Sequence, residues 1–400
     1  MANAKLAPVV ALGSAQTLAW ASSYYLPAVL ATPIASDLGV TTPTVFAAFS
    51  VALLVSAALG PHAGRAIDRW GGRFVLAGTN LVFAAGLAAL ALAQGPWSLF
   101  LAWAVLGVGM GSGLYEAAFA ALVRLYGTGS RGAITGITLI AGFASTVGWP
   151  LSALLESHIG WRGACFAWAA LHLVVGMPLN LSLPRAEPAP GAPAPTSGAP
   201  PPSRQATQRA AVLLAVAFAA TWFISTAMAA HLPRLLQASG ATLAVAVGVG
   251  ALIGPAQVAG RLLEFGWLRR VHPMLSARLA ALMHPLGAVM LSVFGGPAAA
   301  VFAVMHGAGN GILTIAKGTL PLVLFGPAGY GHRQGWLMVP ARIAQALAPW
   351  LFGILLDRWG ARAIWISAAI GLLAFASLLA LRPSLPAPLV TPQRSAGRSA

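Results

Sequence analysis

Three charged side chains stand inside long apolar stretches of this 400-residue chain: Glu116, Lys317 and Arg342. Glu116 precedes Arg124 by eight residues and Lys317 precedes Phe325 by eight, while Arg342 follows Gly335 by seven. On helices these spacings place all three at nearly one level, ~10–12 Å from the nearer end. A charge facing hydrocarbon costs on the order of 3 kcal/mol even on lenient insertion scales. All three are therefore expected to face the interior, near one another or a wet cavity. A carboxyl group so placed can bind and release a proton, with burial and neighbouring cations setting its affinity. Glu116 is the candidate for proton coupling, and Lys317 and Arg342 are candidates for attracting an anionic substrate. The same spacing also fits a fixed Glu116–Lys317 ion pair that only fastens helices. Tyr24, Trp222 and Asn310 are further substrate-binding candidates, polar or aromatic side chains midway along apolar runs. His172 and His284 are expected to be structural.

The elements that must carry these residues follow from composition. Apolar residues make up 58% of the chain and charged residues only 8%, against about 25% charged in soluble domains. Mean hydropathy is +0.81. The apolar runs are about 20 residues long, enough to cross ~30 Å of hydrocarbon as helices. A backbone in lipid must satisfy its own hydrogen bonds, which selects helices, and the alternation of a membrane β-barrel is absent. Twelve spans are read at 8–34, 44–66, 73–93, 97–124, 132–155, 161–182, 210–236, 243–263, 273–294, 297–324, 336–356 and 363–381. The Pro- and Ala-rich segment between the sixth and seventh can bury little and reads as a linker. The expected organisation is an all-α membrane protein: a six-helix bundle over 1–183, a cytoplasmic linker over 184–209, a second pseudo-symmetric six-helix bundle over 210–382, and a cytoplasmic tail over 383–400.

Placing the N-terminus inside puts seventeen Lys and Arg residues, Arg261 among them, in cytoplasmic loops or tails and four outside, at Arg162, Arg234, Arg358 and Arg362. Such a bias puts both termini in the cytoplasm, and the Arg-rich, Lys-poor usage points to a bacterial inner membrane. The halves repeat at a shift of 200: Gly107, Gly109 and Gly111 match Gly307, Gly309 and Gly311, and Gly160 and Arg162 match Gly360 and Arg362. A shorter repeat lies within each half, where the turn after every second span of three carries an acid, a glycine and arginine: "DRWGGR", "ESHIGWR", "EFGWLRR" and "DRWGAR". Inverted three-helix units nested in parallel halves are a transporter design, in which one bundle rocks against the other around a central site.

Other classes lack their signatures. The single cysteine, Cys165, excludes an internal disulfide or a cysteine metal cluster. No metal site or cofactor is expected: there is no HExxH, nucleophile elbow or Walker loop. The net charge of +16 is scattered through short loops, with no basic domain to hold nucleic acid. The expected partners are a small-molecule substrate, protons and the lipid bilayer, around a monomer. Efflux of a drug or metabolite fits as well as movement of an anion, by symport or antiport, and a transporter-like sensor that binds a ligand without moving it is the alternative.

The stretch "GRAIDRWGGR" at 64–73 resembles the loop between the second and third helices of the major facilitator superfamily, with Gly64, Asp68, Arg69, Gly71 and Arg73 on its pattern. The span count, the central break and the fourfold repeat extend the resemblance over essentially the whole chain. "GAITGITLIAGFASTVGWPLSALLESHIGWR" is similar to the fifth-helix region of monocarboxylate and oxalate porters, although their acidic-glycine-tryptophan signature is absent from "AQTLAWASSYYLP". The resemblance implies secondary active transport by alternating access, with a cavity lined by the first, fourth, seventh and tenth helices. It also implies a gate in which Asp68 latches the halves and Arg69 and Arg73 hold Asp68 or lipid headgroups.

Overall fold

A computed structural model describes residues 2–185 and 204–381. Most of the linker and the tail thus lie outside the described residues, but Arg204–Arg209, counted above with the linker, are helical. No strand occurs among the described residues.

The helices trace twelve spans. The first is Ala2–Ala21 followed by Pro27–Leu38, the second Thr42–Trp70 and the third Gly72–Ala91. The fourth is Pro96–Gly113 followed by Tyr115–Tyr126. The fifth starts at Arg131–Ile140 and resumes in Ala144–Leu171, a helix that passes into the sixth span at Gly160 and ends, after a π-helical turn His172–Gly176, in Met177–Leu181. The seventh is Arg204–Ala238, and the eighth is Leu243–Gly250 followed by Ile253–Gly266. Pro273–Phe294, Ala299–Phe325, Tyr330–Trp359 and Ala363–Ala380 complete the set. Eight helical stretches are long and apolar enough to cross a membrane, and Pro96–Leu181 and Tyr330–Ala380 each run through more than one span.

The internal repeat has a visible backbone cause. Gly160 and Gly360, 200 residues apart, turn the fifth span into the sixth and the eleventh into the twelfth with φ of +69° and +51°. An L side chain is strained in that region. The glycine rows of the fourth and tenth spans are packing surfaces. A Cβ on Gly107 or Gly111 would strike the backbone of Ala52 or Ser56 in the second span, and one on Gly109 or Gly113 would meet Phe83 or Thr79 in the third. Gly307 and Gly311 meet the eighth span at Ile253 and Gln257 in the same way, and Gly309 meets the ninth at Ala280. Small residues let helix backbones approach closely where apolar burial supplies no drive between them.

Extensive packing between the two halves joins the second span to the eleventh, the fourth to the tenth and eleventh, and the fifth to the eighth and tenth. These contacts gather toward the end of the molecule that carries the "GRAIDRWGGR" turn, called here the sealed end. At the far end the recorded ion pairs stay within one half: Arg162 with Asp37 at 2.8 Å, and Arg234 with Asp357.

Candidate functional site

Four of the spans are broken near their middles. The first is interrupted between Ala21 and Pro27, the fourth at Leu114, the fifth at Ala141–Phe143 and the eighth between Gly250 and Ile253. Leu114 is extended, with φ −84° and ψ −166°. Non-helical backbone at membrane depth persists where it is enclosed by protein or lines a cavity, and half-helix ends there are places to hold ions and anions. The first two breaks carry Tyr24 and Tyr25, and Tyr115 and Glu116.

Glu116, in the first turn of the second half-helix of the fourth span, accepts a hydrogen bond from Arg342 of the eleventh at 2.8 Å. Side-chain exposures of 16% and 3% make this a largely buried ion pair. The other arm of Arg342 donates to Gln345 at 3.0 Å. Lys317 is buried on the tenth span and makes no ion pair among the described residues; its ammonium lies 3.9 Å from the centroid of the Trp222 ring. Arg342 also faces that ring, at 5.5 Å. The acid thus pairs with Arg342 rather than with Lys317, and Trp222 on the seventh span is where both cations meet. Attraction of a cation to an indole face is worth about 0.5–2 kcal/mol.

Trp222 in turn lies parallel to Trp20 of the first span, with ring centroids 6.5 Å apart and planes 6° apart. Trp20 contacts Tyr115 at 4.9 Å, Tyr24 at 5.2 Å and Tyr25 at 6.1 Å. Tyr24 therefore belongs to the aromatic wall around the cations. Asn310 does not join them. It lines a separate small cavity inside the second half with Thr221, His284 and His306. His284 and His306 touch through their Nδ1 atoms at 3.1 Å, and His284 Nε2 bonds the Ser367 hydroxyl at 3.1 Å. In the first half His172 bonds Ser22 at 2.7 Å and Asn80 at 2.9 Å, tying the sixth span to the first and third.

The sequence reading missed Arg261. It was counted with the cytoplasmic loops, but it is buried within the eighth span, against Gly142 at the break in the fifth. Its Nη2 is 3.4 Å from Gln257 Oε1, while Nε and Nη1 have no partner. Its charge reaches Tyr25, Tyr115 and Lys317. The centre therefore holds three cations and one acid. Arg261 sits one turn inside Glu264, so on a hydropathy profile it merges with the charges that end the span. Trp20 and Tyr115 were missed as well: they lie in the same runs as Tyr24 and Glu116, and nothing in the sequence says which aromatic side chain of a run turns inward.

At the sealed end, Asp68 accepts the backbone N–H groups of Gly331 at 2.9 Å and His332 at 2.8 Å, the first turn of the eleventh span. An anion is favoured at such a helix start. Gly64 packs directly on the Gly331 backbone, and Gly71 ends the second span with φ +83°. Arg69 and Arg73 do not contact Asp68: their guanidinium groups lie 5.6 Å from the rings of Trp70 and Phe74 respectively. The equivalent acid of the second half, Glu264, accepts from Arg131 at the start of the fifth span at 2.7 Å. Arg131 also donates to the Leu268 and Val271 carbonyls, both at 3.2 Å.

Comparison with known proteins agrees with this architecture. The chain is 29% identical over 361 residues to an uncharacterized 38 kDa protein encoded in a 23S RNA operon of Thermoproteus tenax, covering 89% of both chains. It is 29% identical over 325 residues to human monocarboxylate transporter 11, covering 78% of this chain and 68% of that one. The structure of FucP, the E. coli fucose:proton symporter, in the outward conformation superposes with a TM-score of 0.70 at 15% identity, over 94% of this chain and 98% of that one. The sequence profile of the Major Facilitator Superfamily matches residues 12–316. With twelve apolar spans in two similar halves and charges gathered where the halves meet, the chain belongs to the major facilitator superfamily and is one of its multi-pass membrane transporters.

Proposed function

We propose that this transporter carries a small organic anion together with a proton by alternating access, with Glu116 as the proton carrier. The observation that carries the reading is the Glu116–Arg342 bond. It joins the fourth span to the eleventh, and so one half to the other, while Lys317 and Arg261 make no ion pair among the described residues. Protonation of Glu116 removes the carboxylate from Arg342 and leaves three cations facing the centre. An anion then restores the balance, so proton and anion load together. Symport follows from this order, because unloading either one re-forms the ion pair or leaves cations unpaired. Breaking a buried pair by removing one charge alone costs about 3–5 kcal/mol, a barrier that discourages movement of a half-loaded carrier. The human relative's name, a monocarboxylate transporter, fits a substrate of this charge.

In this scheme Lys317, Arg342 and Arg261 hold the anion, and Tyr24 and Trp222 border it. Asp68 acts with Gly64 and Gly71 as the latch between the second and eleventh spans, while Arg69 and Arg73 serve topology and headgroup contact. The excess of Lys and Arg at the sealed end supports a cytoplasmic position for that end, and on this reading the described state faces outward across a bacterial inner membrane.

The test uses the purified chain in proteoliposomes loaded with candidate organic anions. Glu116→Gln is expected to abolish uptake driven by a pH gradient and to preserve anion exchange at equal pH. Persistence of gradient-driven uptake in that variant would remove Glu116 from the coupling.

A further inference from the structure

We infer that the central site takes an aromatic carboxylate, with the ring between Trp20 and Trp222 and the carboxylate on Arg261 and Lys317. This rests on the anion reading above and adds the shape of the substrate. Buried polar atoms without partners are rare in folded proteins and call for an explanation. In this region Trp20 Nε1, Trp222 Nε1 and Arg261 Nε and Nη1 are all buried without a partner. All four are donors, and the Lys317 ammonium adds donors that meet only an indole face. The unpartnered hydroxyls nearby, Ser56 and Thr226, can donate as well as accept, and the unpartnered groups that only accept, Gln16 Oε1 and Gln334 Oε1, lie on their helices one turn below Trp20 and two turns below Arg342 toward the sealed end. A ligand that completes this region must therefore bring acceptors and negative charge, and a carboxylate does both.

The walls specify the remainder of the ligand. The two indoles come from opposite halves and are within 6° of parallel, with centroids 6.5 Å apart; a ring stacked between them needs ~7 Å, so the indoles part by ~0.5 Å to admit one. Tyr115 closes one side of Trp20 at 4.9 Å and Tyr24 another at 5.2 Å. Aromatic rings gain from stacked and edge-on contacts beyond the area they bury, so a planar ring gains more here than a saturated one of equal size. A ring held by one indole from each half bridges the halves, which links its recognition to their relative movement.

The experiment measures binding by calorimetry on the full chain in detergent, using matched acids of equal charge. Benzoate is compared with cyclohexanecarboxylate, phenylacetate with cyclohexylacetate, and benzyl alcohol serves as the uncharged ring. Each aromatic acid is expected to bind about tenfold or more tightly than its saturated twin, on the scale of one stacking contact. It should exceed benzyl alcohol by a larger factor. Trp222→Leu and Trp20→Leu are expected to bring the aromatic-to-saturated ratio close to one while both acids still bind. Trp20→Phe, the folding control, should retain the preference. Equal affinity for aromatic and saturated acids in the unaltered protein overturns the aromatic inference and leaves the anion reading standing. Benzyl alcohol binding as tightly as benzoate, or no acid binding at all, overturns both.

Discussion

The two halves answer the same structural problem at the sealed end with different chemistry. Asp68 ends the second span and meets the start of the eleventh; Glu264 ends the eighth and meets the start of the fifth, the symmetry-related position. Asp68 binds two backbone amides, at 2.9 and 2.8 Å. Its latch depends on where a helix begins and on glycines that let the backbones touch. Glu264 binds a guanidinium, and that same Arg131 reaches two carbonyls of the turn beyond. Its latch depends on one long side chain. A backbone latch tolerates little change in shape and much change in side-chain identity, and a guanidinium latch the reverse. Duplication thus preserved the site of closure and not the means.

Substitutions that act on one latch and spare the other sharpen this contrast. The largest effect is expected from Gly64→Leu. A Cβ there runs into the Gly331 carbonyl, and a clash with backbone that cannot yield belongs at the upper end of the about 1–3 kcal/mol that overpacking costs. The sealed end should stand open, read as maleimide labelling of a cysteine placed at Ser56 in a Cys165→Ser background; unchanged labelling would show that the glycine contact is not what closes the second and eleventh spans. Next comes Arg131→Ala, which leaves Glu264, whose side chain is only 4% exposed, buried without its cation at a cost of about 3 kcal/mol. Adding Glu264→Gln should recover much of the loss of closure, and a double variant no better than the single would mean the carbonyl contacts of Arg131 dominate. Asp68→Asn keeps an acceptor and loses the charge. It should cost about 1–1.5 kcal/mol, near tenfold in the labelling rate. If it matches Gly64→Leu, the anion matters more than the fit. The smallest effect belongs to Arg234→Ala at the far end. Its pair with Asp357 is exposed and lies within one half, so transport should change by less than about twofold.

The fold could be read from the sequence because hydrophobic length dictates a membrane helix almost alone. The spans expected at 73–93, 273–294 and 363–381 sit within one or two residues of the helices described. The level of Glu116, Lys317 and Arg342 was legible for the related reason that buried charge must gather. Their pairing was not. Lys317 and Arg342 are equally deep by residue count, and only helix rotation decides that Arg342 meets the acid while Lys317 meets Trp222. The expectation for Arg69 and Arg73 followed charge complementarity, yet Asp68 found backbone donors nearer than any guanidinium. Asn310 was a candidate as a polar side chain midway along an apolar run, the tenth span, which also carries Lys317. Seven residues is nearly two helical turns, which places it ~10 Å farther along, beside His306. Arg261 was hidden by its neighbours, since a charge five residues from a helix end resembles one just beyond it.

The ion pairs at the far end, Asp37 with Arg162 and Arg234 with Asp357, each staple a half to itself. Parting the halves on that face breaks no ionic contact recorded among the described residues. A salt bridge weakens as ionic strength rises, so opening on that face is expected to respond little to added salt. Added salt acts instead at the sealed end, where the Glu264–Arg131 pair joins one half to the other.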